Sequence, residues 1–180
     1  MLSATISKMI LNALTKGQAG GGSITTDAYL ALLTTMPDDQ GVGAVEVDKT
    51  VMLGYSRLQI GDGGTSETSL DNKPFFPSAG AAWSSADNAY KIENTANMQM
   101  SAIEDGVDAT AIVVGFAICK TANGTLTTDM LAWGRLIDST TQQPTSVTLT
   151  GGSVPIFYYN STSGKGDFTL LLGAADAAEE

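Results

Sequence analysis

Residues 111–119 read Ala111-Ile112-Val113-Val114-Gly115-Phe116-Ala117-Ile118-Cys119, an uncharged apolar run without proline. On an extended chain, alternate side chains point the same way. Ile112, Val114, Phe116 and Ile118 then project to one side, and Ala111, Val113, Gly115, Ala117 and Cys119 to the other. Large faces small. The reading is a central strand whose large face fills a core and whose small face packs closely under another element.

Similar segments lie on both sides of it. Downstream, the Asn-Gly of Ala122-Asn123-Gly124-Thr125 signals a hairpin into a strand over Met130 to Leu136. Thr145 to Thr150, Val154 to Tyr159 and Asp167 to Leu172 follow. The Gly151-Gly152 turn joins two of these, and Ser163-Gly164-Lys165-Gly166 leads into the last. Upstream, Asn97, Gln99 and Ser101 alternate with Ala96, Met98, Met100 and Ala102, as in a strand wet on one side. Met52 to Ile60 reads as a strand. Asp27 to Thr34 is apolar on both faces, which fits a central strand or a buried helical turn. Thr34-Thr35 before Met36-Pro37-Asp38 favours a strand running into a turn. The interval between Ile60 and Ala96 reads as loop, with Gly61-Asp62-Gly63-Gly64, Pro74 and Pro77. Strands recurring roughly every 10 to 20 residues predict an all-β fold, an antiparallel β-sandwich or jelly roll.

The N-terminus differs. Leu2, Ile6, Met9, Ile10, Ala13 and Leu14 recur at spacings of three and four, which predicts an amphipathic helix over 2–16, capped by Ser3 and ended by Gly17. A helix this short is marginal alone, so its stripe needs a partner, either the body of the same chain or a neighbouring subunit. The expected organisation is a helical arm over 1–17, a Gly-rich hinge over 18–23, a β-sandwich body over 24–172 and a disordered acidic tail over 173–180.

The 180 residues suit one domain with appendages. Charged residues make up only 16%, so the surface is hydroxylated more than charged. The net charge of −10 and nine scattered basic residues oppose binding to nucleic-acid phosphates and to anionic membranes. No apolar run reaches the roughly 18 residues of a membrane span, and no signal peptide is evident. The sequons at Asn123 and Asn160 mean little without a secretory route. With one cysteine, no intrachain disulfide forms.

The chemistry of known catalytic sites is absent from the pattern. There is no histidine, which removes Ser-His-Asp and Cys-His arrangements and the commonest metal ligand. Gly61-Asp62-Gly63-Gly64 lacks the Lys-Ser or Lys-Thr of a phosphate loop. Cys119, on the small strand face, reads as a buried structural thiol. Glu104, Asp105 and Asp108 match no calcium loop, and Asp38 and Asp39 read as turn residues. Two carboxylates suffice for a glycosidase, but nothing singles out a pair. No enzyme activity, cofactor or metal is expected. Candidate interface residues are Leu2, Ile6, Met9 and Ile10 of the arm, together with Arg57, Trp83 and Arg135. Each arginine either covers apolar surface with its stem or anchors bidentately on a carboxylate of a neighbouring strand or subunit. Trp83, in loop-like sequence, is a core plug or an interface anchor.

The motif order is also informative. YLALLTTMPD (29–38), Glu46-Val47, GYSRLQI (54–60), VVGFAIC (113–119), NGTL (123–126), LAWGRL (131–136), a hairpin around Val154-Pro155 and FTLLL (168–172) follow one another. The chain resembles a family of small structural proteins of tailed-phage virions, tail-fibre-like or minor head proteins, over about residues 2–172. It departs from that pattern at Glu104-Asp105-Gly106-Val107, where the family often has Trp-Gly, and at Lys73 to Trp83, which reads as an insertion. The resemblance implies a non-enzymatic β-sandwich that binds other virion proteins. The expected role is capsid decoration (cement) or head fibre. The major capsid protein or another virion protein is its partner, and the virion, assembled in the host cytoplasm, is its location. A homo-oligomer is expected, and a trimer suits a three-fold lattice position. The alternative is a tail or tail-fibre component in host adsorption, with Tyr158-Tyr159 on hydroxyl-rich loops suited to saccharide.

Overall fold

The computed structural model describes residues 10–12, 28–61, 75–77, 79–87, 89–138, 141, 143–163 and 165–172. The strands are β1 (Ala28–Thr35), β2 (Val45–Glu46), β3 (Leu58–Gly61), β4 (Ala82–Ser84), β5 (Ala89–Glu93), β6 (Met98–Gln99) and β7 (Ala111–Val113). They continue as β8 (Gly115–Cys119), β9 (Met130–Arg135), β10 (Val147–Leu149), β11 (Ile156–Phe157), β12 (Tyr159–Asn160), β13 (Lys165–Gly166) and β14 (Thr169–Leu172). One short helix, α1 (Leu126–Asp129), precedes β9. The class is all-β, with antiparallel pairing in each sheet of known register. Its contacts gather into two compact units, one of residues 1–28, 60–98 and 157–180, the other of residues 29–59 and 99–156.

The second unit is organised by the apolar run 111–119, which is two strands and not one. All five residues of β8 are buried. It pairs with β1 from Tyr29↔Cys119 to Leu33↔Gly115, and on its other side with β9 from Gly115↔Arg135 to Cys119↔Met130. The preceding three residues, β7, pair instead with β10. The change of partner falls at Val114, whose N–H donates to Leu33 O at 2.8 Å and whose carbonyl accepts from Leu136 N–H at 3.0 Å. Gly115 permits the close approach there, since a Cβ would lie 2.3 Å from Met36 Sδ. The expectation that the large face fills the core therefore fails before the break, while burial of the small face holds. Ile112 is 56% exposed while Ala111 and Val113 are buried.

Another expectation is corrected. Met52 to Gly54 is turn, and only Leu58–Gly61 of the predicted strand forms. Met52 N–H donates to Asp48 O at 2.8 Å and Tyr55 N–H to Met52 O at 3.0 Å, so this backbone closes on itself before it can join a ladder. Gly54, at φ +88°, sits where a Cβ would be 2.4 Å from Ala102 O. Asn123-Gly124 does lie in a hairpin into the expected strand, since β8 and β9 pair antiparallel, but the connection is longer than a tight turn. The connection between β8 and β9 runs from Lys120 to Asp129 and contains α1. The apolar Asp27–Thr34 stretch is a strand, as the sequence favoured. Burial alternates from Ala96 to Ser101 as predicted, although only β6 forms regular strand there.

In the first unit, the interval read as loop carries the hairpin β4–β5, and β14 pairs on the other side of β5. Polar turn residues around short strands masked it. Phe168 packs edge-on against Phe76 and Phe157, with centroids 5.9 and 5.7 Å apart. Asn94 is fully buried among these aromatics. Its Oδ1 accepts from Phe168 N–H at 2.9 Å, and its amide group donates to the carbonyls of Ala96 (2.9 Å) and Tyr158 (3.2 Å). Residues 10–12 are helical. Leu11, outside the predicted stripe, is buried, and Asn12 Oδ1 accepts from Ala81 N–H at 2.8 Å, so this turn contacts its own chain. Ile10 is half-buried. Leu2, Ile6, Met9, the hinge and the tail lie outside the described residues.

Asn94→Ala removes the acceptor that Phe168 N–H uses and the donor to the Ala96 carbonyl, two buried hydrogen bonds each worth about 1–3 kcal/mol. A loss of roughly 2–4 kcal/mol in urea unfolding is expected. A loss below ~1 kcal/mol means the amide is replaceable by water.

Candidate functional site

The densest polar constellation lies within the second unit. Arg57, just before β3, has a wholly buried side chain. A guanidinium carries five N–H donors in a rigid fork, and in an apolar interior each needs an acceptor. All are matched. Nε donates to Glu46 Oε1 at 3.0 Å and Nη2 to Glu46 Oε2 at 2.7 Å, a bidentate pair. Nη2 also donates to Gly124 O at 2.7 Å, and Nη1 to Thr121 O at 2.7 Å and to Asp129 Oδ2. Asp129 Oδ2 further accepts from the Thr121 hydroxyl at 3.2 Å and N–H at 3.3 Å. Burial works against the charge on Arg57, but the Glu46 and Asp129 hydrogen bonds outweigh it and hold the guanidinium pKa above its ordinary value.

Tyr55 extends the cluster. Its hydroxyl donates to Glu46 Oε1 at 3.1 Å and accepts from Leu32 N–H at 2.8 Å, supplying a side-chain partner to a β1 amide. Burial first, then the Glu46 charge, raise the Tyr55 pKa. Lys49 Nζ donates to Ala122 O at 3.2 Å and Asn123 Oδ1 at 3.1 Å. The loop 121–124 is thus held by the arginine from one set of carbonyls and by the lysine from another. Cys119 is buried on β8, and burial pushes its thiol up to about 12. A thiol in that state is not a nucleophile at neutral pH.

A cleft of about 340 Å³ opens beside the cluster, lined by Gly41, Gly43, Glu46, Gly124, Thr125 and Thr127 among others. Ala44, Val45 and Leu126 complete the lining, so its walls are more apolar than polar. Among the described residues, no three His, Cys, Asp or Glu side chains gather in a way that could hold a metal ion. The arrangement orders backbone, and its carboxylates are engaged by the arginine.

The described candidate interface residues differ in setting. Arg57 takes the bidentate-anchor reading, with its carboxylate on the neighbouring strand β2 of the same chain. Arg135 is exposed on β9 and enters no ion pair among the described residues. Trp83 lies in β4 of the first unit, opposite Tyr90, and packs edge-on against it at 5.4 Å. Sequence reasoning missed Glu46, Tyr55, Asp129 and Asn94. The one available signal was Arg57 itself, since an arginine read as buried demands carboxylates.

Arg57→Met removes both the charge and the fork, leaving Glu46 and Asp129 without their cation and the Thr121 and Gly124 carbonyls without its donors. A loss of roughly 3–5 kcal/mol in unfolding free energy is expected. A loss under ~1 kcal/mol would contradict the cluster's role.

Cys119 gives an alkaline signature. Its folded pKa of about 12 exceeds the ordinary thiol value of 9.0, so above pH 9 the unfolded chain releases a proton that the folded chain keeps. Stability is therefore complete below that range and falls as pH rises through it. Cys119→Ala should remove the part of the decline that begins near 9, read by urea midpoints across pH.

No protein-family model matches the chain, and no curated protein matches it significantly.

Proposed function

We propose that the chain is a non-enzymatic structural protein of a tailed-phage virion, a capsid decoration (cement) or head-fibre protein that stabilises the head by binding capsid subunits. In this reading its β-rich body packs as a sandwich and several copies act together on the lattice. The observation that carries the reading is the location of exposed apolar side chains on short β-ribbons. Ile112 and Val147 lie on the β7–β10 pair and are 56% and 52% exposed. Trp83 and Leu171 stand out of the β14–β5–β4 sheet at 39% and 51%. The principal buried polar groups are occupied in holding the fold, which leaves apolar and hydroxyl surface for contact. The motif order supplies the context in which that contact is with virion proteins.

Many weak sites on a shell give tight overall attachment through multivalency. The purified full-length chain, mixed with expanded phage heads that lack it, is expected to co-sediment at a saturating stoichiometry. Ile112→Lys places a charge in the contact and should weaken attachment about tenfold or more. Failure to sediment with heads overturns the decoration reading. Attachment to purified tails in the same assay assigns the protein to host adsorption, where the exposed Tyr158 would meet saccharide.

A further inference from the structure

The loop held by Arg57 contains Asn123-Gly124, the dipeptide most prone to self-modification. In that reaction the Gly124 backbone nitrogen attacks Asn123 Cγ. The amide nitrogen leaves as ammonia, and a five-membered succinimide closes. Water then opens the ring at either carbonyl, giving aspartate or isoaspartate at position 123. No reactant other than water is needed. A side chain at the following residue slows ring closure by crowding the attacking nitrogen, and glycine has none.

The fold requires this glycine. A Cβ at position 124 would lie 2.6 Å from Asp129 Cγ and 2.7 Å from Thr121 Oγ1. Packing against the carboxylate that pairs with Arg57 thus imposes the reactive dipeptide. The same packing also blocks the reaction. Gly124 N–H donates to Thr121 Oγ1 at 2.8 Å, so the attacking nitrogen is turned to the threonine and keeps its proton. Arg57 grips the carbonyls of Thr121 and Gly124, each at 2.7 Å, on either side of the reacting peptide. Lys49 Nζ holds Asn123 Oδ1 at 3.1 Å and so restrains the electrophile. Ring closure needs a near-attack arrangement of nitrogen and carbon, and three restraints oppose it. Asn123 is itself exposed, so water has access once the loop opens.

We propose that Asn123-Gly124 is a gated self-modification site, closed by Thr121, Arg57 and Lys49 and opened by local release of the 121–124 loop. The site records opening irreversibly. Aspartate at 123 keeps a partner in Lys49. Isoaspartate lengthens the backbone by one methylene inside the span that Arg57 clamps at both ends, so re-closure is impaired. This inference does not depend on the virion role.

The test follows the reaction by peptide mass spectrometry on the full chain held at mildly alkaline pH, with Asn160-Ser161 as an internal reference. In the folded chain, reaction at Asn123 is expected to be at least about tenfold slower than in the same chain unfolded in guanidinium. Thr121→Val removes the acceptor for Gly124 N–H and should speed reaction at Asn123 about tenfold in the folded state, with Asn160 unchanged. Equal folded and unfolded rates overturn the proposal. So does a folded Thr121→Val chain that reacts no faster than wild type. Should Thr121→Val fail to fold, Lys49→Met leaves the Arg57 pairs in place and frees the Asn123 side chain together with the Ala122 carbonyl. A several-fold acceleration is then expected, and none overturns the proposal. A Lys49–Asn123 cross-linked peptide as the product also overturns it, because the lysine amine and not Gly124 would then be the attacking group.

Discussion

A guanidinium without solvent is the constraint on which the second unit depends. Removing such a charge from water costs several kcal/mol, which is recovered only when every donor finds an acceptor. Arg57 meets that condition by drawing in segments distant in sequence: Glu46 from β2, Asp129 from the end of α1, and the carbonyls of Thr121 and Gly124. Much of the local architecture follows. The connection between β8 and β9 is long because it must carry two carbonyls and a carboxylate back to the arginine. The turn at Asp48–Tyr55 brings Arg57 and Tyr55 to the cluster together, and Tyr55 then caps Leu32 N–H of β1.

The first unit solves a similar problem with a neutral group. Asn94 presents donors and an acceptor at once, so a single amide joins the end of β5 to the segments around Ala96, Tyr158 and Phe168. Burying an amide costs far less than burying an ion. Loss of either hub leaves backbone groups unsatisfied, but only the arginine leaves unbalanced carboxylates. Both hubs impose glycine on a neighbour. At Gly166 a Cβ would lie 2.0 Å from Asn94 Oδ1, and at Gly124 it would meet Asp129. Gly124 and Gly166, which the sequence presents as turn residues, are sites of close packing.

The strand content was legible because burial writes itself into hydrophobic runs. β1, β8 and β9 are carried by such runs, and the wet–dry alternation from Asn97 to Ser101 is matched residue by residue in exposure. What was illegible depended on long-range pairing. The break at Val114 exists because β7 and β8 have different partners, which a continuous apolar run cannot reveal. Tyr55 and Arg57 alternate as in a strand, but they belong to a turn and its exit. The hairpin β4–β5 was hidden by its shortness and by the polar residues of its turn. Of the polar cluster only Arg57 was singled out. Glu46 and Asp129 look like any surface acids until the fold places them 11 and 72 residues from their arginine at hydrogen-bonding distance.

This division of labour bears on what the molecule can do. Acids, bases and thiols that serve catalysis sit where water and substrate reach them with shifted proton affinities. In the second unit three of the shifted groups are buried: Arg57 and Tyr55 bond to other protein groups, and Cys119 lies on β8 between β1 and β9. The exposed Asp48 carboxylate, lowered by its hydrogen bonds to the Thr50 hydroxyl and N–H, closes its own turn. Their chemistry maintains a shape. Buried polar groups fix the loops, and Ile112, Val147 and Trp83 are left exposed; this is the pattern on which the proposed binding role rests. Under that proposal, edges already fixed by internal hydrogen bonds would lose little entropy on docking, and the gain would multiply across many copies on one lattice.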